Sequence, residues 1–329
     1  MNRRNVCFSL VIASAVTLGL PPVPTQAQSN YPNRPIRLVV PYAPGGNTDI
    51  SSRALAAKLI PLLGQQIIID NRAGAGGTIG STEVARANPD GYTLLVGTSG
   101  SHVISSLTRK NPSYDPVKDF APIAVFGIVP TGIAVHPIVA NSLRKLIERV
   151  KANPGKYSYG HSGSGGITNL SGELFKQQAG GLDIVPIPYK GGGPSVRDLI
   201  AGQIPIAVVT FSTVLPFYRS GRLRILAVFS DKRSKQAPDI PTAVELGVPG
   251  MVAYTFTVFL APAGTPKPII DRLSQATRKS MADEAFQKVL ERAGVEPVTD
   301  SNPEKAAQFV KDEIAKWGAV VKATGTKAN

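Results

Sequence analysis

The sequence predicts an α/β protein of two lobes, each a mostly parallel sheet flanked by helices. Three observations predict it. Short β-branched runs alternate with helical patterns after residue 35, a second set of the same units begins near residue 157, and no low-complexity linker separates the sets. Two lobes joined by extended crossovers fit this pattern better than independent beads. Ligands of such sheets bind beyond the carboxyl ends of the strands.

The elements follow in order. Residues 36–40 read as a buried strand that runs into a Gly/Pro loop, 42–49. A helix over 48–63 places Leu55, Leu59 and Leu62 on one face, with Pro61 expected to kink or end it early and Gly64 to stop it. Residues 66–70 form a short strand, 71–80 a Gly-rich loop, 81–87 a short helix, and Asn88-Pro89-Asp90-Gly91 a turn. The strand over 92–97 ends in the loop Thr98-Ser99-Gly100-Ser101-His102. An extended apolar run, 120–135, is broken by Gly127, Pro130 and Gly132, and a helix over 142–152 follows.

The second set begins with a strand over 157–159, a Gly/Ser loop over 160–166 and a helix over 167–179. It continues with a strand over 183–188, a loop over 189–193, a helix over 194–201 and a strand over 204–210 that leads into Phe211-Ser212-Thr213. Another strand spans 224–229, and 254–261 runs extended toward Ala263-Gly264-Thr265-Pro266. Residues 268–324 are helix-rich with an interruption at 294–303, and Trp317 and the aliphatic positions of these helices read as core.

Residues 1–27 have the three parts of a secretory signal. Arg3 and Arg4 precede an uncharged run of about 15 residues, short of the roughly 20 that span a bilayer. Pro21 to Pro24 break the run, and Thr25-Gln26-Ala27 offers a cleavage site, so the mature chain is expected to start near Gln28. The only cysteine, Cys7, lies inside the signal, which leaves the mature chain without a disulfide or thiolate ligand. About 300 mature residues can bury a core without covalent staples.

The formal charge is +14, and removing Arg3 and Arg4 leaves +12 for the mature chain. The basic residues are scattered. The densest group (Arg219, Arg222, Arg224, Lys232, Arg233, Lys235) has no interleaved aromatic platform, so it reads as a solvated surface that steers anions and not as a nucleic-acid site.

Two loops carry the chemistry. In 42–49, two adjacent glycines precede a helix N-terminus, whose first N–H groups lack intrahelical partners and carry partial positive charge. The unit is a cradle for carboxylate or phosphate. The Gly160–Asn169 stretch repeats the arrangement, and neither loop contains lysine or arginine. Neutral donors on both sides of one cleft favour a planar carboxylate. Taken singly, each glycine set also reads as a tight turn of a βα fold. Asp49 reads as a cap or dipole partner, with contact to a ligand amine as the alternative.

Several motifs imitate catalytic sites. Gly160-His161-Ser162-Gly163-Ser164 approaches a nucleophile elbow but has Ser164 where the last glycine belongs, and Gly97-Thr98-Ser99-Gly100-Ser101 misses in the same way. Hydrolysis also needs a histidine with an orienting carboxylate. His136, before Pro137, reads as structural, whereas His102 and His161 lie on cleft-side loops without an assigned partner. A serine hydrolase using Ser162 and His161 stays as the lesser alternative, and the chain reads as a non-enzyme. Gly74-Ala75-Gly76-Gly77-Thr78-Ile79-Gly80 imitates a dinucleotide fingerprint, but its third glycine comes late and it follows the second strand. No cofactor or metal is expected, since no His/Cys or clustered-carboxylate spacing is present.

The strings Tyr31-Pro-Asn-Arg-Pro-Ile-Arg-Leu-Val-Val-Pro-Tyr-Ala-Pro-Gly-Gly, Asp70-Asn-Arg-Ala-Gly-Ala-Gly-Gly-Thr-Ile-Gly and Asn88-Pro-Asp-Gly-Tyr-Thr-Leu-Leu resemble the tripartite tricarboxylate transporter substrate-binding proteins, also called the Bug family. So do Tyr114-Asp-Pro-Val-Lys-Asp-Phe-Ala-Pro, Pro188-Tyr-Lys-Gly-Gly-Gly-Pro and Ala261-Pro-Ala-Gly-Thr-Pro. The resemblance runs in order from Tyr31 to about Trp317. It implies a soluble periplasmic Venus-flytrap protein, expected as a monomer, that encloses a carboxylate-bearing solute and hands it to membrane transporter subunits. An extracytoplasmic sensor ectodomain is the alternative partner.

The lobes are then expected as 28–130 plus 254–329, and 131–253, with hinges near 130–135 and 250–254. In the family the loops here spanning 42–49 and 161–168 hold a ligand carboxylate. This chain departs at His161, at Asn169 and at Phe211-Ser212, where an Asp-Asn pair is common, which makes an acid without an amine the better fit. The expected ligand-binding residues are Tyr42, Ala43, Gly45, Gly46, Thr48 and Asp49 on the first loop, and Thr98, Ser99, Ser101 and His102 on the second. On the other lobe they are His161, Ser162, Gly163, Ser164, Gly165 and Thr168, with Tyr189, Phe211 and Ser212 beside them. Tyr42, Tyr189 and Phe211 leave an aromatic or heterocyclic acid open as the solute.

Overall fold

A computed structural model describes residues 30–189 and 191–326. The expected signal peptide, with Cys7, lies outside those residues. Strand β1 (Ile36–Val40) is buried along nearly its whole length and leads through a loop into helix α1 (Asn47–Leu63). Pro61 neither ends nor shortens that helix. It falls in the last turn, where one lost N–H is tolerated, and Gly64 supplies the stop at φ 74°, donating its N–H to Ile60. The buried face of α1 runs through Leu55, Leu59 and Leu63, while Leu62 is exposed.

Strand β2 (Ile67–Asn71), helix α2 (Thr78–Ala85) and strand β3 (Thr93–Thr98) complete the first βα set. The chain then coils at once into a π turn, Gly100–Ile104, continued by the short helix α3 (Ser105–Thr108). Strand β4 (Phe120–Val135) spans the whole expected run. Helix α4 (Leu143–Ala152), capped by Ser142, leads to strand β5 (Tyr157–His161), helix α5 (Ile167–Gln178), strand β6 (Ile184–Pro188), helix α6 (Gly192–Ile200), strand β7 (Ile206–Thr210), helix α7 (Phe211–Arg219) and strand β8 (Arg224–Phe229).

Strand β9 (Tyr254–Pro262) returns toward the start of the chain. Helices α8 (Lys267–Met281) and α9 (Glu284–Arg292), the two-residue strand β10 (Glu296–Pro297) and helix α10 (Pro303–Thr324) follow.

The strands join in the order β2-β1-β3-β9-β4-β7-β5-β6, with β8 and β10 also paired to β4. Parallel pairing is confined to the βα units: β1 with β2 and β3, and β5 with β6 and β7. The pairs β3–β9, β4–β9, β4–β7 and β4–β8 are antiparallel, so the sheet is mixed. The physical reason is connectivity. Crossover helices return a strand parallel to its neighbour, whereas β4 and β9 arrive without one.

Strand β4 changes partners at one residue. Up to Pro130 it pairs with β9, and from Thr131 it pairs with β7 and β8. At that point Thr131 donates both its N–H and its hydroxyl to the Ala253 carbonyl at 2.9 Å, and the Ala253 N–H reaches Phe229 at 2.9 Å. Two chain crossings therefore run side by side between the halves of the sheet. Trp317 is fully buried in the core as expected, with its indole N–H donated to Glu313 at 2.9 Å. Among the described residues, no helix is long and apolar enough to cross a membrane.

Candidate functional site

The loops after β1 and β5 share one backbone plan. Gly45 and Gly165 have φ of 85° and 68°, a region that favours glycine, and the next residues, Gly46 and Gly166, are extended N-caps. The third helical residue ties each loop down. Gly45 donates its N–H to Asp49 Oδ2 at 2.9 Å, and Gly165 donates to Asn169 Oδ1 at 3.2 Å. Neither Gly46 nor Gly166 offers a side-chain cap, so N–H groups remain at both helix starts. Helices α4, α9 and α10 are instead capped by Ser142, Asp283 and Asn302.

The two loops differ in charge. Asp49 is buried, lies 3.0 Å from Arg53 Nε, and accepts a 3.0 Å bond from Asn71. Burial alone would raise its pKa, but Arg53, the Gly45 N–H and Asn71 together hold the carboxyl below its ordinary value. Asp49 fastens the loop through the Gly45 N–H and sits as an anion in the first turn of α1, paired with Arg53. Asn169 is neutral and donates to the Tyr159 hydroxyl at 3.1 Å, which in turn donates to Glu173 at 2.8 Å. Thr168 accepts the Ser162 N–H at 2.9 Å.

A cleft of about 460 Å³ opens between the two halves of the sheet. Of the expected residues, Gly163, Ser164, Gly165 and Tyr189 line it. The other half contributes Ala75, Gly76, Gly100, Ser105, Thr108 and Arg109. The Tyr189 hydroxyl donates to Asp198 at 2.8 Å, and burial followed by that carboxylate pushes the phenol up to about 12. Tyr42 supports the wall from behind: its hydroxyl lies 2.7 Å from Thr98 Oγ1 and 3.3 Å from the Gly76 carbonyl. Burial raises the phenol pKa of Tyr42, so it acts as a neutral donor. Thr98 donates its N–H to Ser101 Oγ at 3.0 Å, and Ser99 donates to Thr255 at 2.8 Å. These three residues are bonded within their own half of the sheet.

The structure separates the remaining expected residues. Ala43, Gly45 and Gly46 are exposed, Thr48 is half-buried, and none of the four lines the cleft. Ser212 accepts a 3.2 Å bond from Asn47 and borders a second cleft of about 330 Å³ together with Arg219 and Arg292. Phe211 does not face the cleft but is buried in the core of the second half, because α7 begins at this residue and turns its ring inward.

His102 also departs from expectation. It is fully buried, packed edge-on against Phe120 at 4.6 Å between ring centres and tilted against Tyr114 at 5.9 Å. The π turn carries it into the core, and Gly97 makes the room: a Cβ there would lie 2.5 Å from His102 Nδ1. Burial pulls its pKa down to about 3.

His161 is buried beneath its loop, with Nδ1 at 3.0 Å from the Gly163 carbonyl, and burial lowers its pKa. Among the described residues no hydrogen bond joins it to Ser162 and no carboxylate orients it. This is not the nucleophile–base–orienter chain that hydrolysis uses.

Ala75, Gly76, Ser105, Thr108 and Arg109 were outside the sequence expectation. Ser101, Ser105 and Thr108 recur at helical spacing, a signal hidden by reading Thr98–His102 as open loop. The Gly-rich stretch resembling a dinucleotide fingerprint forms part of the cleft wall.

A family model described as the tripartite tricarboxylate transporter family receptor matches residues 51–326. Protein BugT of Bordetella pertussis is 38% identical over 300 residues, covering 90% of this chain and 91% of that protein. The solved structure of Rpa4515 from R. palustris with adipate is 35% identical, with a TM-score of 0.79, covering 90% of this chain and 99% of that one. MatC from Rhodopseudomonas palustris with bound malate is 32% identical, with a TM-score of 0.75, covering 88% of this chain and 100% of that one.

Proposed function

The chain belongs to the tripartite tricarboxylate transporter receptor family, and from that premise we propose that it captures a small carboxylate-bearing solute and delivers it to a membrane transporter of the tripartite type. The observation that carries this reading is the cleft wall built by Gly163, Ser164 and Gly165 at the uncapped start of α5. Asn169 and Thr168 fasten the loop through the Gly165 and Ser162 N–H groups, which holds the uncapped N–H groups at the start of α5 in place, and the α5 dipole favours negative charge. The relatives with adipate and malate support a carboxylate as the ligand class. The site residues act by binding and not by catalysis.

Residues 32–130 with 254–326 form one lobe and 131–253 the other, and the lobes close about the paired crossings at Thr131 and Ala253. Ligand contacts made only in the closed form supply the differential affinity that shifts the open–closed equilibrium. The protein works in the periplasm as a monomer, with residues 1–27 removed on export.

A thermal-shift screen of ligand-stripped protein against mono-, di- and tricarboxylates tests the reading. At ligand near 1,000 times Kd the stabilisation is about 4 kcal/mol, which raises Tm by several degrees at roughly 2–4 °C per kcal/mol. A flat response across the panel would overturn carboxylate capture.

A further inference from the structure

Among the described residues Arg109 is the one charged side chain lining the cleft, and it enters from the wall opposite the Gly163–Gly165 cradle. It caps the C-terminus of α3, and its Nη2 donates to the Ala75 carbonyl at 2.7 Å. Ala75 is the only non-glycine among the described residues with a left-handed φ, 48°. Its carbonyl also accepts the Thr78 hydroxyl at 2.9 Å. Ala75 opens a tight turn closed by Thr78, and Arg109 ties that turn to the end of α3.

The guanidinium is underused. It carries five N–H donors in a planar fork. Its Nε is shielded from solvent and has no hydrogen-bond partner among the described residues, nor does any carboxylate there pair with the group. Among the described residues no acidic side chain lines the cleft. A second carboxylate is the planar anion that such a fork receives through two parallel bonds. The cleft thus has neutral backbone donors on one wall and a charged fork on the other.

Resting on the carboxylate reading above, we propose that Arg109 receives the second acidic group of a dicarboxylate and sets the preference for diacids over monoacids. One carboxylate lies on the Gly163–Gly165 loop, and the far one meets Arg109. A monoacid engages only the loop, which leaves the fork unmatched.

Calorimetric titration of ligand-stripped protein with adipate against hexanoate, and succinate against butyrate, tests this in the unsubstituted protein, Arg109→Gln and Arg109→Lys. The diacids are expected to bind the unsubstituted protein roughly 10- to 100-fold more tightly than their monoacid partners. Arg109→Gln is expected to lower diacid affinity and to bring that ratio close to one. Arg109→Lys keeps part of it, because a point charge replaces the fork. If Arg109→Gln does not fold, the reduced ratio in Arg109→Lys decides the matter. A ratio near one in the unsubstituted protein, or one undiminished in both variants, overturns the role of Arg109 and leaves carboxylate capture standing. Binding of no acid at all to the unsubstituted protein removes both.

Discussion

The loops after β1 and β5 are built alike and charged differently. Each places a left-handed glycine before an extended glycine at a helix start, and each is fastened by the third helical residue. At the first loop that residue is Asp49, an anion already balanced by Arg53. At the second it is the neutral Asn169. The difference teaches that backbone shape makes a cradle available, while the fastening side chain decides whether an anion is welcome. The first loop carries its own carboxylate, and under the proposed function the second leaves that role to a ligand.

Exchanging the fasteners is the strongest test. Asn169→Asp puts a buried carboxylate under the second loop, close to the Tyr159–Glu173 pair, and is expected to weaken carboxylate binding roughly 100-fold by calorimetry. Unchanged affinity would break the comparison. The reverse change, Asp49→Asn, keeps an acceptor for Gly45 but loses the pair with the half-exposed Arg53 and the bond from Asn71. It is expected to cost about 1 kcal/mol of stability without loss of affinity. Because the Asp49 pKa is lowered on folding, that contribution is present above the unfolded value near 4 and is lost as pH falls through the folded one. Asp49→Asn therefore flattens the acid limb of a Tm–pH profile.

The histidines extend the same contrast. His102 is pulled to about 3 by burial, so the folded state keeps it neutral while the unfolded chain takes up a proton below about 6.5. Stability therefore falls as pH drops from 7 toward 3, by about 2 kcal/mol at pH 5. His102→Leu is expected to flatten that fall in a series of thermal melts. His161, lowered by burial in the same direction, adds to that fall. The smallest effect belongs to the bond between Asn47 and Ser212, which ties the start of α1 to α7. Ser212→Ala is expected to weaken ligand affinity by roughly two- to fivefold, and a change beyond tenfold would show Ser212 touching the ligand itself.

Much of the frame was legible in the chain. Strand β4 runs over the whole apolar stretch read for it, because a strand buried on both faces carries an unbroken apolar signal. The glycine pairs marked the loops after β1 and β5, and the first glycine of each, Gly45 and Gly165, holds a left-handed φ that favours glycine. The wall built by Gly100 to Arg109 was not legible. Its polar start, Thr98 to His102, reads as an open loop, and Val103, Ile104 and Leu107 make too short an apolar stripe to mark a helix; the space at Gly97 admits the His102 ring. Arg109 gave no local signal either, since its role depends on Ala75, brought alongside by tertiary packing.

The double crossing at Thr131 and Ala253 also sets an order of assembly. Strands β5 to β8 come from one stretch of chain, so their half of the sheet closes from nearby segments. Strands β3 and β4 of the other half share β9 as a neighbour, and β9 is made last of the three. A chain emerging from its N-terminus therefore holds two bare strand edges until residue 254 and beyond arrive. Such edges invite pairing with another chain, so a truncation before β9 is expected to aggregate.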